Sequence, residues 1–539
     1  MKNKIKNPII PGFYPDPSIC KCGDDYYIAC SSFELCPGIP IFYSKDLAHW
    51  EQICYAITPD NGLHMEKNSM VGGLMAPTLR YHNGTFYIIN ANFSDKGNYI
   101  ITAKNPAGPW SMPHWLDDVP GIDASIFFDD DGKCYIMGTG DVWDNGTDVK
   151  ERGIWLAEYD IRNFRMIGEP VTIFNSALRV GSSPESPHLY HVGDYYYLMI
   201  AEGGTEHYHA VMVARSKDIF GFYEGNPANP VMTHRHMGFS CPITNVGHAD
   251  MIELPDGSWY AVMLASRLID GKCKNLGRET FICPVVWERE WPLFSPQTGK
   301  VESEYNMPDC LPYTEYQPEP SFDGFETEKF KLYWNFWGTP YEKFYKVENS
   351  SLVLECRKQT LAEELRPMSF VPEYHKDRFV SFVARRQRNI NVVITCQMEF
   401  MPKDNESAGI AVVQAMNHQY HLERACENDR QVVRLIRYTS EYDVPPYMPG
   451  FKSNTYREVV AQAEWKPENI VLQIQMEGSK FTIRYGFKKS CLEKLCTADG
   501  AEINTEKVGC MSGTMLGMFA TGNGKDSNNC ARFDWFEMT

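Results

Sequence analysis

Through the first 300 residues apolar and polar positions alternate in short runs broken by Gly, Asp and Asn, with almost no 3.6-residue periodicity, a pattern that predicts β-strands joined by tight turns. One unit recurs, a glycine turn followed by aromatic and β-branched residues: Gly23-DDYYIA, Gly84-TFYIIN, Gly132-KCYIMG, Gly193-DYYYLM and Gly257-SWYAVM. The intervals are about 50 to 65 residues, the size of a four-stranded sheet, and each unit is followed by further strand-like segments at 41–50, 99–110, 154–164, 211–223 and 278–287. Five such repeats, arranged radially to hide their edges around a channel, predict a five-bladed β-propeller. A Pro- and Glu-rich link at 296–321 follows, and then new alternating segments such as SLVLECR, GIAVVQA, VVRLIRY, IVLQIQME and FDWFEM, which predict a β-sandwich. The expected fold is all-β, with a propeller over 1–315 and a sandwich over 316–539.

The segment before each glycine turn is the innermost strand of its blade, and its start faces the channel. These segments begin Asp16-PSI, Met75-APTL, Asp123-ASIF, Glu185-SPHL and His248-ADMI, so three acids and a histidine converge on one axis. Asp16, Ala76 and Asp123 align, whereas Glu185 and His248 read as one residue early. Because adjacent strand residues point oppositely, a bend or bulge is expected there, and Ser186-Pro187 can supply one. Three carboxylates drawn together against their mutual repulsion, with no metal-ligand motif, point to catalysis. Asp16 also stands between Pro15 and Pro17, whose fixed φ angles leave little backbone freedom and aim the carboxylate.

Glycoside cleavage needs one ionised and one protonated carboxyl across a channel. Asp16 suits the base, Glu185 the acid, and Asp123 a neighbour that raises the pKa of the acid. His248 is open to four readings: a hydrogen-bonded core histidine, a group polarising the site, a contact to a sugar hydroxyl, or a holder of a cation through water. Arg278 suits either a structural ion pair or a guanidinium binding hydroxyls and carboxylates at once.

Composition narrows the partner. The formal charge of −17 and the lack of a basic block argue against nucleic acid or an anionic membrane as partner, while 13% aromatic residues suit a neutral sugar that stacks on rings. No window approaches the length of a membrane span, and the amino terminus has no apolar run of signal-peptide length, so a cytoplasmic location is expected. The 17 cysteines are odd in number and scattered, which predicts free thiols.

PGFYPDPS (11–18), SSFELCPGIPIFYSKDLAHW (31–50), GGLMAPTLRYHNGTFYI (72–88), GIDASIFFDDDGKCYI (121–136), SPESPHLY (183–190), AEGGT (201–205), GHADMIELPDG (247–257) and GRET (277–280), in that order, resemble glycoside hydrolase family 43, and most closely its two-domain β-xylosidase branch. The resemblance implies a five-bladed propeller, a single inverting displacement, and Asp16, Glu185 and Asp123 as general base, general acid and pKa modulator. It implies that Phe33 and Arg278 contact the sugar, with His248 nearby. No cofactor is required, although some relatives hold a calcium ion through this histidine. Where the branch usually has a tryptophan lining the sugar pocket, this chain has Met75, which gives an adaptable apolar contact without a flat ring. Trp143 either supplies that ring or packs its blade.

The resemblance continues through ARRQ (384–387) and GTMLGMFA (513–520), implying a jelly-roll, concanavalin A-like sandwich that closes one side of the pocket, with Met511 near the position where relatives insert a phenylalanine. An independent carbohydrate-binding module is the alternative for this domain. The expected activity is an exo-acting β-1,4-xylosidase on small xylooligosaccharides. An α-L-arabinofuranosidase on the same scaffold is the rival, and a non-catalytic sugar-binding propeller a more distant one. Large acidic relatives often assemble, which allows a homo-oligomer, but no interface is legible.

Overall fold

The five glycine turns close five hairpins in the same way. Gly23, Gly84, Gly132, Gly193 and Gly257 have φ between +60° and +85°, the left-handed region in which a side chain is strained, so the sequence repeat is a backbone requirement. In the computed structural model, which describes residues 3–539 apart from 64, 66–71, 93–94, 143–150, 176–182, 239, 341, 363–379, 443–452 and 509–511, these hairpins form the inner halves of five four-stranded antiparallel sheets.

Blade one comprises Ser18–Cys22, Asp25–Ala29, Gly38–Ser44 and Glu51–Ile57, and blade two Leu74–His82, Thr85–Asn92, Gly97–Ala103 and His114–Trp115. Blade three contains Ile122–Phe128, Cys134–Val142, Glu151–Asp160 and Arg165–Asn175. Blade four contains Glu185–Val192, Tyr195–Glu202, Ala210–Ser216 and Glu224–Gly225, and blade five Ile243–Glu253, Trp259–Arg267, Glu279–Glu288 and Trp291–Phe294. The first strand of each blade touches the first strands of both neighbours, and blade five returns to blade one. The ring is therefore closed, a five-bladed propeller as the repeat predicts. Lys4–Lys6 pairs with Glu304–Asn306, and the Asn7 side chain bonds the backbone of Ile282 and Glu302, tying the chain start to the last blade.

The remaining strands form a concanavalin A-like sandwich of two eight-stranded sheets. One sheet runs Ser453–Glu464, Arg430–Tyr442, His418–Glu427, Ser407–Ala415, Met515–Thr521, Ser381–Arg386, Asn335–Trp337, and ends on Leu35–Cys36, a strand contributed by the propeller. Between the sheets, Ile410, Val412, Leu422 and Met518 meet Ile394, Leu472, Ile474 and Phe533, and the same apolar cluster continues into blades one and two through Ile39, Ile57 and Leu74. Burying these surfaces against each other is the main force joining the two units. Every described cysteine is free, and among the described residues no helix is long and apolar enough to cross a membrane.

Candidate active site

The start of each inner strand is built alike. Asp16, Ala76, Asp123, Ser186 and His248 all have φ between +44° and +54°, an uncommon conformation for residues other than glycine. In blades two to five the strand register shifts across this residue, so one residue bulges toward the channel. This corrects the register expected from sequence: His248 is equivalent to Asp16 and Asp123, and Glu185 alone stands one residue early, with Ser186 in the equivalent place. The strain recurs at the start of every inner strand and re-aims those side chains into one layer.

Asp16 is buried. Ser31 Oγ donates to its Oδ2 at 2.5 Å, Arg278 Nη1 donates to its Oδ1 at 2.7 Å, and His248 Nδ1 lies 3.7 Å from Oδ1. Burial alone would raise this carboxyl, but Arg278, His248 and Ser31 favour the ionised form and hold it below the ordinary range. Ser186 Oγ donates to Asp123 Oδ2 at 3.0 Å and lies 2.7 Å from His248 Nδ1. With its single proton spent on Asp123, that hydroxyl accepts from His248, which fixes the tautomer with hydrogen on Nδ1. Burial and the negative charge of Asp16 push Asp123 upward, against the pull of His248. Glu185 is pushed up to about 8 by burial and then by Asp123, with Arg152 working in the opposite sense. Its side chain is 25% exposed, and Arg152 Nη1 stands 3.6 Å from its Oε1. At neutral pH the site therefore presents an ionised Asp16 and a protonated Glu185, with Asp123 raised above the ordinary carboxylate range.

The sugar-contacting candidates divide. Phe33 is buried at φ +52°, stacked on Phe13 at 5.4 Å between centroids, and the Arg278 guanidinium lies 5.5 Å from its ring. Arg278 also donates to Thr205 Oγ1 at 3.0 Å, and its buried Nε has no partner among the described residues. Met75 is partly buried against the cluster that contains Phe13 and Phe33. Phe33, Met75, Arg278, His248 and the carboxylates thus belong to one neighbourhood, whereas Trp143 and Met511 lie outside the described residues.

Sequence reasoning missed Ser31, Ser186, Arg152 and His209. Ser186 was legible in principle, because it completes the fivefold alignment. His209 packs behind His248, and a Cβ on Gly247 would stand 2.5 Å from its ring, so only glycine fits there. A calcium ion at His248 would be held mainly through water and the ring's Nε2. The ion wants six to eight oxygens, yet the ring's Nδ1 is spent on Ser186 and the nearby carboxylates are engaged by Arg278, Ser31 and Ser186.

Residues 5–292 match the family model described as glycosyl hydrolases family 43. The chain belongs to glycoside hydrolase family 43. Residues 322–539 match the model of the β-xylosidase C-terminal concanavalin A-like domain, the partner expected for this family 43 propeller. A xylosidase/arabinosidase of Butyrivibrio fibrisolvens is 39% identical, covering 99% of this chain and 98% of the relative. A non-reducing-end α-L-arabinofuranosidase of Bacteroides ovatus is 37% identical, covering 99% and 94%. Among solved structures, the xylan β-1,4-xylosidase of Bacillus halodurans superposes with a TM-score of 0.86 at 29% identity, covering 99% of this chain and 100% of that one.

Proposed function

We propose that this family 43 glycoside hydrolase is an exo-acting β-1,4-xylosidase that works by inversion on small xylooligosaccharides. The observation that carries the reading is the split in protonation, with Asp16 ion-paired and held low and Glu185 pushed up to about 8. Asp16 takes a proton from water as its oxygen attacks the anomeric carbon. Glu185 gives its proton to the glycosidic oxygen as the C–O bond breaks on the other side. Asp123, fixed by Ser186, keeps that proton on Glu185 until the leaving oxygen needs it. Arg278 holds the terminal sugar, with the buried Phe33 ring packed against its guanidinium. Each proton has a donor and an acceptor among the chain's own residues, so no step is routed through a cation.

The exo reading is supported by the sandwich lying against the propeller next to the Asp16 loop and Arg278. Thr514 N donates to Asn275 O at 2.8 Å, and Gly513 passes so close to Phe13 and Leu276 that a Cβ would meet both below 3.0 Å. An α-L-arabinofuranosidase activity is the second reading. It is supported by Met75, which offers no flat ring for a pyranose, and by the arabinosidase names of two relatives. Proton NMR of xylobiose and of an arabinofuranosyl oligosaccharide, followed at the anomeric signal, tests both. α-Xylose appearing first supports the inverting xylosidase, cleavage of the arabinosyl substrate alone replaces it with the second reading, and cleavage of neither overturns both. In the same assays Met75→Trp should raise the xyloside-to-arabinofuranoside ratio about fivefold, the worth of about 1 kcal/mol of ring stacking.

A further inference from the structure

Arg386, in the ARRQ segment, has no part in the reaction above, yet it is buried at 2% exposure at the end of the sandwich strand Ser381–Arg386. Its Nε donates to the carbonyl of Phe13 at 2.8 Å, and its guanidinium lies 4.4 Å from the centroid of the Tyr14 ring. Its Nη1 donates to Asn335 Oδ1 at 2.5 Å, and Asn335 in turn bonds the Tyr55 hydroxyl in blade one. One sandwich side chain therefore grips two consecutive residues just ahead of Asp16. No carboxylate among the described residues forms a salt bridge with it. A buried guanidinium without a counterion is costly to desolvate, so stability alone is a poor reason for its presence.

The rest of the loop is held as closely. Gly12 N donates to Glu279 Oε1 at 2.7 Å, Glu279 is ion-paired with Arg267, and a Cβ on Gly12 would stand 2.8 Å from the carbonyl of Gln387. Asp16, at φ +54°, sits in a conformation uncommon for any residue but glycine, so its surroundings must impose it.

We propose that Arg386 is a positioning residue. Reaching across from the sandwich, it fixes the Phe13 carbonyl and the Tyr14 ring, and thereby sets the Asp16 carboxylate where it accepts the proton of the attacking water. This rests on Asp16 as the general base. The groups around that carboxylate are Ser31 from blade one, Asp123 from blade three, Glu185 and His209 from blade four, and His248 and Arg278 from blade five. Releasing the loop lengthens the bonds from Arg278 and Ser31 and so weakens what favours the ionised form.

The test uses the full chain with Arg386→Lys and Arg386→Met, folding being checked by circular dichroism and melting temperature. Lysine keeps the charge but cannot reproduce the fork between Phe13 and Asn335 or the ring contact. The expected result is a kcat about 10- to 100-fold lower with KM changed less than about threefold, equal on xylobiose and on nitrophenyl xyloside. The acid limb of kcat should move upward while the alkaline limb stays in place. If Arg386→Met does not fold, Arg386→Lys decides. Folded variants with unchanged kcat and acid limb overturn the proposal, as does activity falling by one factor at every pH in step with the folded fraction. Asp16→Asn separates the two layers: if it is inactive while the Arg386 variants are normal, only this inference falls, and if it is active, the base assignment itself falls.

Discussion

A carboxylate's chemistry is decided by the two or three atoms nearest to it. Asp16 and Glu185 are the same functional group in one site, yet a guanidinium at 2.7 Å on the first and burial beside Asp123 on the second drive them apart. A bell-shaped pH profile follows. Activity is lost as pH falls through the depressed Asp16 value and protonates the base, and lost again as pH rises through about 8 and strips the acid. Arg152→Met should move only the alkaline limb, upward and by a fraction of a pH unit, because the arginine is 55% exposed and screened by solvent. Glu185→Ala should fail on xylobiose but keep measurable turnover on nitrophenyl xyloside, whose leaving group needs little protonation; equal loss on both would remove Glu185 from the acid role.

At the scale of the element, the inner strands do two jobs in successive layers. Their first residues carry the groups proposed to react, and two positions deeper Ser18, Ser125, His188 and Asp250 lock the blades together. Arg80 Nη1 and Nη2 bond both oxygens of Asp250, Ser18 Oγ and Tyr190 OH donate to the same carboxylate, and Arg80 Nη2 lies 3.0 Å from His188 Nδ1. Four blades are thus tied through one buried acid, held far below the ordinary carboxylate range despite its burial. Its stabilising effect is complete above the unfolded carboxylate pKa and is lost as pH falls toward the depressed one. Arg80→Met leaves Asp250 buried and unpaired, an expected cost of about 3–5 kcal/mol at pH 7. Thermal melts should show the deficit shrinking toward pH 4, where Asp250 can take up a proton; an equal deficit at both values would refute the pairing as its cause.

For the molecule as a whole, the sandwich is built into the surroundings of the candidate site. Leu35–Cys36 closes one of its sheets just after Phe33, Arg386 grips the loop before Asp16, and the 512–514 segment lies against Gly277 beside Arg278. Gly513→Val should therefore press on Phe13 and Leu276 at a cost of about 1–3 kcal/mol. Steady-state kinetics and melting on the same preparation should show kcat falling by more than the melting temperature accounts for.

Local pattern and repetition were enough to determine the all-β class, the five blades and the three carboxylates, because glycine turns and strand alternation are short-range and were written five times over. The same repetition carries the correct register, but at His248 the bulge breaks the two-residue alternation on which a strand reading depends. What only the tertiary structure decided lies between segments far apart in the chain. Arg278 and Asp16 are separated by 262 residues and Arg386 and Phe13 by 373. No local pattern encodes which guanidinium meets which acid. That pairing comes from closing the ring and docking the sandwich, and with it the opposite shifts of Asp16 and Glu185.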